Sequence, residues 1–400
     1  MADSEYEYAA EHSLALQTIH AASLLTKSVL KSLSNNVSAE TKADDSPVTV
    51  ADFAAQALII SALHAAYPDD AFLGEESADQ LRSNPALADR VFALVQQQSA
   101  RLGDVQQRAS GPAAGTTASS ASAAASSSSS LPSSSSNVPL TLPRSREQML
   151  DLIDLGTGTQ TKSGRVWVMD PVDGTATFMT GNQYAVCLCL LVDGVQKVAV
   201  IGCPNLAYRD ADGGPRRIHE DDVDADGYGV VLSAVQGQGT HVRKMLADGL
   251  GEPTKVQHEQ SNAATRDLTT LNFIDSAVGM TSLSQAEHRE VAELLGAQWP
   301  GTVIWSQQMK YIALTLGATD VMLRLPKNKE RFTCVWDHAG GNLLFREVGG
   351  IIKDIDGDDI DFGQGRLLTG ERNFGMIAAL SGIWDPVNRA VKDVLERRTK

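Results

Sequence analysis

Asp170-Pro171-Val172-Asp173-Gly174-Thr175 sets two carboxylates three residues apart and follows them directly with a glycine and a hydroxyl. Oxygen donors grouped in this way can hold hard divalent cations and a phosphate together. The preceding run, Val166-Trp167-Val168-Met169, is continuously apolar and predicts a buried strand; Ala176 to Met179 predicts a short helix ending near Gly181. The carboxylates therefore fall at a strand end. Gly174 lets the backbone approach a ligand closely, and the first amides of the helix point toward an anion. Taken alone, the hexapeptide is also what an ordinary turn uses, because Asp, Pro and Gly are turn formers.

Two further acidic elements weigh against the plain turn. Gly74-Glu75-Glu76-Ser77 follows the apolar Ala71-Phe72-Leu73, and Trp336-Asp337-His338-Ala339-Gly340-Gly341 opens a helix running toward Gly349-Gly350. In this order the three elements resemble the lithium-sensitive, magnesium-dependent phosphomonoesterase superfamily that includes inositol monophosphatase. Longer stretches narrow the resemblance. They are Ser46-Pro47-Val48-Thr49-Val50-Ala51-Asp52-Phe53-Ala54-Ala55-Gln56, Pro68-Asp69-Asp70, Tyr184-Ala185-Val186-Cys187-Leu188, Ile201-Gly202-Cys203-Pro204-Asn205-Leu206 and Asp361-Phe362-Gly363. Together with the acidic elements they resemble the 3'(2'),5'-bisphosphate nucleotidases of fungi and plants, over nearly all of the chain except its start and a serine-rich stretch. The resemblance implies an α+β fold, the inositol monophosphatase-like layered αβαβα sandwich, with the active site between two halves.

Bulk properties agree. Four hundred residues can bury a substantial core. A formal net charge of −15 argues against a nucleic-acid polymer as partner, since that binding draws on clustered Lys and Arg. A small anionic substrate remains compatible if metal ions reverse the local field. Cys187, Cys189, Cys203 and Cys334 show no zinc spacing, and reduced, buried thiols suit the cytosol. With no signal region and no apolar run of membrane-spanning length, the expectation is a soluble cytoplasmic enzyme with no membrane partner, a monomer or weak homodimer.

Along the chain, Tyr8 to Leu33 carries apolar residues at helical spacing. A second helix starts near Thr49, whose hydroxyl can cap it, places Val50, Phe53, Ala54, Ala57 and Leu58 on one side, and stops at Tyr67-Pro68. Asp52 lies in its first turn, where the helix dipole favours the ionised form. Gly111 to Asn137 is almost wholly Ser, Ala, Pro, Gly and Thr and cannot bury enough apolar surface to order itself, so residues 105–145 predict a disordered insertion. Asp193-Gly194 between Tyr184–Val192 and Val195–Ile201 is the strongest hairpin signal. Turn residues from Pro204 to Gly214 suggest a boundary. The expected division is 1–205, an α+β metal-binding half, and 206–400, an α/β half contributing substrate contacts and Asp337. In the second half Val230–Leu232, Leu271–Ile274 and Val321–Leu325 predict strands, and Gln308 to Leu316 a helix.

A phosphate monoester repels nucleophiles and has a poor leaving group, and magnesium addresses both difficulties. The resemblance implies two or three Mg2+ ions. By position Glu75, Asp170 and the carbonyl of Val172 match the family's first metal site, and Asp170, Asp173 and Asp337 the second, with Glu75 serving a weaker third. Asp52 and Thr175 match the pair that orients and deprotonates the attacking water, Asp52 as base. The amides of Gly174 and Thr175 should hold the phosphate, which Asp337 also faces. Lys310 and Arg324 match positions for a second phosphate, and Gln307, three residues before Lys310 on the same helix face, can hydrogen-bond sugar or phosphate.

Each residue also has a plain structural reading: Asp52 as a helix-start charge, Asp337 and Thr175 as caps, Glu76 as a solvated neighbour, His338 as a structural residue. Gly237-Gln238-Gly239 lacks the context of a dinucleotide fingerprint, and Asp354-Ile355-Asp356-Gly357-Asp358-Asp359 reads as a hairpin turn, not a calcium loop. Two departures from the family bear on substrate. Gly279-Met280-Thr281-Ser282-Leu283 stands where Gly-His-Ser-Ser-His is usual, which leaves Leu283 in place of a nucleotide-contacting histidine or, with Met280, packed in the core. Trp305-Ser306-Gln307-Gln308 stands where Asp-Ser-Gln is usual. The expected activity is removal of the 3'-phosphate of adenosine 3',5'-bisphosphate, with similar action on the sulfated nucleotide. The alternatives are an inositol phosphate phosphatase, or a non-catalytic binder on the same fold.

Overall fold

Strand alternation around the central motif organises the molecule. The computed structural model describes residues 6–33, 40–41, 47–48, 50–109, 140–160, 162–208, 217–258 and 266–398. Residues 110–139, the greater part of the insertion expected over 105–145, and Thr49 lie outside the described residues; residues 105–109 are not disordered but close the helix Pro85–Ala109.

The chain opens with α1 (Ala9–Leu33), the two-residue strands β1 (Glu40–Thr41) and β2 (Pro47–Val48), and α2 (Val50–Ala66). There follow β3 (Ala71–Gly74), α3 (Asp79–Ser83), α4 (Pro85–Ala109), α5 (Arg146–Leu155), β4 (Arg165–Asp173) and α6 (Thr175–Met179). Next come β5 (Ala185–Val192), β6 (Val195–Cys203), β7 (Val230–Val235), β8 (Gly239–Leu246), β9 (Gly249–Leu250) and β10 (Thr254–Lys255). These build an eight-stranded sheet in the order β10-β8-β7-β6-β5-β4-β3, with β9 paired to β8. It is antiparallel except for β3 and β4. Asp193 and Gly194 both have positive φ, 51° and 79°, as the tight turn between β5 and β6 requires.

The remaining elements are β11 (Phe273–Asp275), α7 (Gln285–Leu294), β12 (Thr302–Val303), α8 (Gln307–Thr315), β13 (Val321–Arg324) and β14 (Phe332–Cys334). They end with α9 (Ala339–Arg346), β15 (Gly350–Lys353), β16 (Leu367–Thr369), β17 (Met376–Leu380) and α10 (Ser381–Arg398). A five-stranded sheet runs β12-β11-β13-β17-β15, and β14 pairs with β16 in a separate ribbon.

Five layers result. Helices α1 and α2 cover one face of the large sheet; α8 and α9 lie between the two sheets; α7 and α10 close the outer face of the small one. The period of two is visible in the cores. Trp167, Met169, Leu188 and Leu190 pack toward α1 and α2, whereas Val166, Val168, Cys187 and Cys189 pack toward α8 and α9. Gly341 lets α9 press on α8, since a Cβ there would lie 2.5 Å from the Tyr311 ring.

Three expectations are corrected. The division at residue 205 cuts the large sheet, because β7 pairs with β6 along its whole length and β8 and β10 extend the sheet to Lys255. The apolar side expected for α2 is a helix buried all round from Val50 to Leu63, flanked by α1, α4 and α5. The Asp354 to Asp359 segment is a turn but joins no hairpin: Asp354 Oδ1 accepts from the amide of Asp358, and β15 pairs with β17.

Candidate active site

The spacing of Asp170 and Asp173 would place them on opposite faces of a regular strand. A bulge prevents this. Asp170 pairs with Cys187 and Asp173 with Ala185, so three steps along β4 match two along β5. Cys187 and Ala185 both face the α8–α9 layer, and the two carboxylates therefore share that side, while Val172 packs toward α1 and α2. Pro171 is tolerated because it sits in the bulge.

Gly174 then turns the chain with φ 93° and caps α6. A side chain there would be strained, and its Cβ would meet Thr177 Oγ1 at 2.8 Å and Ser306 Cβ at 2.9 Å. Thr175 is the first residue of α6 and not its cap. Its hydroxyl donates to the carbonyl of Val172 at 3.1 Å.

One carboxylate oxygen from each of Asp170, Asp173 and Asp337 lies within 4.8 Å of the others. Gly74 pairs with Met169, so the next residues, Glu75 and Asp170, are neighbours at the strand ends. Burial raises the Asp170 carboxyl well above its ordinary value, reinforced by the charges of Glu75, Asp173, Asp337 and Asp52. Asp337 is pushed up to about 7 by burial and by Asp173 and Glu75. Among the described residues no Lys or Arg forms an ion pair with Asp170, Asp173 or Asp337, and Asp170 Oδ1 is buried without a hydrogen-bond partner. Crowded, unpaired carboxylate oxygens fit a hard divalent cation of the magnesium type.

Other side chains hold this cluster in place. Gln56, one turn after Asp52 on α2, donates to the carbonyl of Glu76 at 2.7 Å and accepts from its amide at 3.0 Å. Glu76 itself is buried, which corrects the solvated reading. Arg366 donates to the carbonyls of Gly74, Gly156 and Gly158 at 2.6, 2.9 and 3.0 Å. Its guanidinium also lies 4.7 Å from the ring centroid of Trp336, beside Asp337. Asp173 accepts from Ser306 Oγ and from the amides of Gln308 and Gln307 at 2.6 and 3.3 Å, and so ties β4 to the start of α8.

That helix carries the cations' framework. Lys310 is buried, donates to Ser276 Oγ at 2.8 Å, and is lowered to about 8 by burial and Arg324, against Asp275, Asp173 and Glu220. Arg324, at the end of β13, hydrogen-bonds Gln307 Oε1 and reaches Thr333 Oγ1 at 3.4 Å. Thr333 donates to Asp337 at 3.2 Å, which leaves its oxygen to accept from His338 Nε2 at 3.0 Å, while His338 Nδ1 faces the Tyr311 hydroxyl at 2.9 Å. Burial and the nearby Arg324, Lys310 and Arg331 keep His338 neutral, so it is a structural bridge. Behind Ser276, His288 donates from Nδ1 to Asp275 at 2.6 Å and accepts from the amide of Leu325 at 3.1 Å.

The acidic residues and Gln307, Lys310 and Arg324 thus form one continuous network. Asp52 is buried in the first turn of α2, its charge reaching Asp170. Met280 is not in the core: it is 60 % exposed, whereas Leu283 is buried and bridged to Pro326. Gln56, Ser276, Asp275, His288, Thr333 and Arg366 escape a reading of the sequence, because each acts through contacts between distant segments. Gln56 alone had a local hint, its spacing of four from Asp52.

A family model described as the inositol monophosphatase family matches residues 6–99 and 117–383. The chain is 36% identical over 389 residues to the 3'(2'),5'-bisphosphate nucleotidase of Emericella nidulans, covering 97% of this chain and 99% of that one. It is 34% identical over 391 residues to the protein of that name from Schizosaccharomyces pombe, covering 97% and 96%. Among solved structures, the extragenic suppressor protein suhB from Bartonella henselae matches with a TM-score of 0.54 at 16% identity, over 96% of this chain and 98% of that one.

Proposed function

The chain belongs to the inositol monophosphatase family, and we propose that it is a magnesium-dependent 3'(2'),5'-bisphosphate nucleotidase, which hydrolyses adenosine 3',5'-bisphosphate to AMP and phosphate. The observation that carries this reading is the continuity between two chemically different regions. A carboxylate cluster of buried Asp170 and Asp173 and half-buried Asp337 adjoins two cations, buried Lys310 and half-buried Arg324, through Thr333 and the Asp173 contact with α8. A monophosphate needs only the first region. A bisphosphate needs both.

Glu75, Asp170, Asp173, Asp337 and the Val172 carbonyl would hold two or three magnesium ions. Bound there, magnesium neutralises phosphate oxygens, acidifies a water and stabilises the leaving oxygen. Asp52 and Thr175 are assigned to orienting and deprotonating that water, and the amides of Gly174 and Thr175 to the phosphate being removed. Lys310 and Arg324 hold the second phosphate, with Gln307 between them on the sugar side. In this assignment the ends of β3 and β4 supply most metal ligands, and the chain from α8 to α9 closes the site with Asp337 and the two cations. The apolar Leu283 favours the alternative, an inositol phosphate phosphatase without a nucleotide pocket.

Lys310→Met separates the two. A charged hydrogen bond contributes about 1.5–3 kcal/mol, so the variant should lose roughly 10- to 150-fold in kcat/KM on adenosine 3',5'-bisphosphate and far less on adenosine 3'-monophosphate. Equal losses on both substrates would refute the assignment of Lys310 to a second phosphate.

A further inference from the structure

Beside Arg324 opens a cleft with no acidic side chain in its lining among the described residues. Two guanidinium groups, Arg324 and Arg331, face it between the apolar walls of Leu283, Pro326 and Met376. Among the described residues Arg324 hydrogen-bonds only neutral oxygens, Gln307 Oε1 and Thr333 Oγ1. Arg331 is half-buried, and among the described residues its guanidinium makes no hydrogen bond and no ion pair. It immediately precedes β14, two residues before the Thr333 that contacts Arg324 and Asp337, and it lines the same cleft as Arg324. The charges that reach Arg331 are Arg324, which repels it, and the distant pull of Asp337. Two partly dehydrated cations lining an open cleft whose described walls carry no acidic side chain make a site for an extended anion, while the charges of Asp337, Asp275 and Asp173 reach Arg324 from outside that lining.

We propose that Arg331, with Arg324, forms an anion subsite for the sulfate of a nucleotide bearing a 5'-phosphosulfate. The inference rests on the nucleotidase reading, in which Lys310 and Arg324 meet the 5'-phosphate. A phosphomonoester concentrates its two negative charges on one phosphorus centre. A phosphosulfate spreads one charge on each of two linked acid groups, and the row Lys310, Arg324, Arg331 matches that longer distribution. The hydrolysed bond is unchanged: a water oxygen bonds to the 3'-phosphorus, the bond from phosphorus to the 3'-oxygen breaks, and that oxygen takes a proton. The phosphosulfate anhydride stays intact, so the products are adenosine 5'-phosphosulfate and phosphate.

The test compares full-length wild type, Arg331→Met and Arg331→Lys with magnesium, on adenosine 3',5'-bisphosphate and on 3'-phosphoadenosine 5'-phosphosulfate, with melting temperatures to verify folding. Arg331→Met should lower kcat/KM for the sulfated nucleotide by about tenfold or more, through KM, and that for the bisphosphate by no more than about threefold. Arg331→Lys should recover most of the loss. Equal losses on both substrates, no loss on either, or a wild type that hydrolyses the bisphosphate but not the sulfated nucleotide would each overturn the proposal. A wild type inactive on both nucleotides yet active on inositol phosphates is a distinct result: it removes the nucleotidase reading and the subsite with it.

Discussion

Asp337 shows how the site sets function against stability. Its carboxyl is raised to about 7 by burial and by Asp173 and Glu75, and Asp170 is raised for the same reasons. A carboxyl whose value is higher in the folded state than in the unfolded chain favours folding when protonated. That contribution is complete below about pH 4 and is lost as pH rises to about 7, up to about 4 kcal/mol for Asp337. Protein stripped of metal with EDTA should therefore lose stability between pH 5 and pH 8, and magnesium should restore it most strongly at pH 8. Asp337→Asn should abolish turnover, yet the metal-free variant at pH 8 should melt no lower than wild type. A metal-free melting temperature that rises from pH 5 to pH 8, or a variant with normal turnover, would contradict this account. Asp170 and Asp173 were legible as a pair, because two carboxylates before Gly174 after an apolar run form a local pattern, whereas the parts given to Asp52, Glu75 and Asp337 came from the family resemblance. The burial of Glu76 was not, since Gln56 holds it from another helix.

Among the elements, the segment leading into β16 does more than its short ribbon with β14 suggests. Arg366 bridges the ends of the two chain regions that supply Glu75 and Asp337, through the Gly74 carbonyl and the face of Trp336. Arg366→Met would strand three carbonyls, at a cost of about 1–3 kcal/mol for each one left unsatisfied by water. We expect a lower melting temperature and a magnesium concentration for half-activation raised about tenfold, with Arg366→Lys intermediate because it keeps the charge but not the planar fork. An unchanged magnesium titration in Arg366→Met would exclude the bridging role. Asp193-Gly194 made β5 and β6 readable, since a tight turn leaves its mark in two residues. The continuation of the sheet through β7 and β8 left none: turn residues after Pro204 read as a boundary, while pairing of β7 with β6 depends on residues about thirty positions apart. The bulge at Pro171-Val172 was likewise hidden, though it alone brings Asp170 and Asp173 to one face.

For the molecule as a whole, five layers bring together carboxylates from β4 and from the turn before α9 with cations from α8 and β13, and the composition required only a chain long enough to bury such a core. The serine-rich segment between Gly111 and Asn137 offers one large apolar side chain, Leu131, too little to anchor it. Replacing it with a short Gly/Ser linker should leave kcat/KM and melting temperature nearly unchanged, and a marked fall in either would show that it packs or acts. The central claim is the substrate. Purified protein with magnesium should release phosphate from adenosine 3',5'-bisphosphate, leaving AMP, with kcat/KM at least about tenfold above that for inositol mono- or bisphosphates, the margin one charged contact to a second phosphate supplies. A preference for inositol phosphates, or no phosphate release from the bisphosphate, would contradict it.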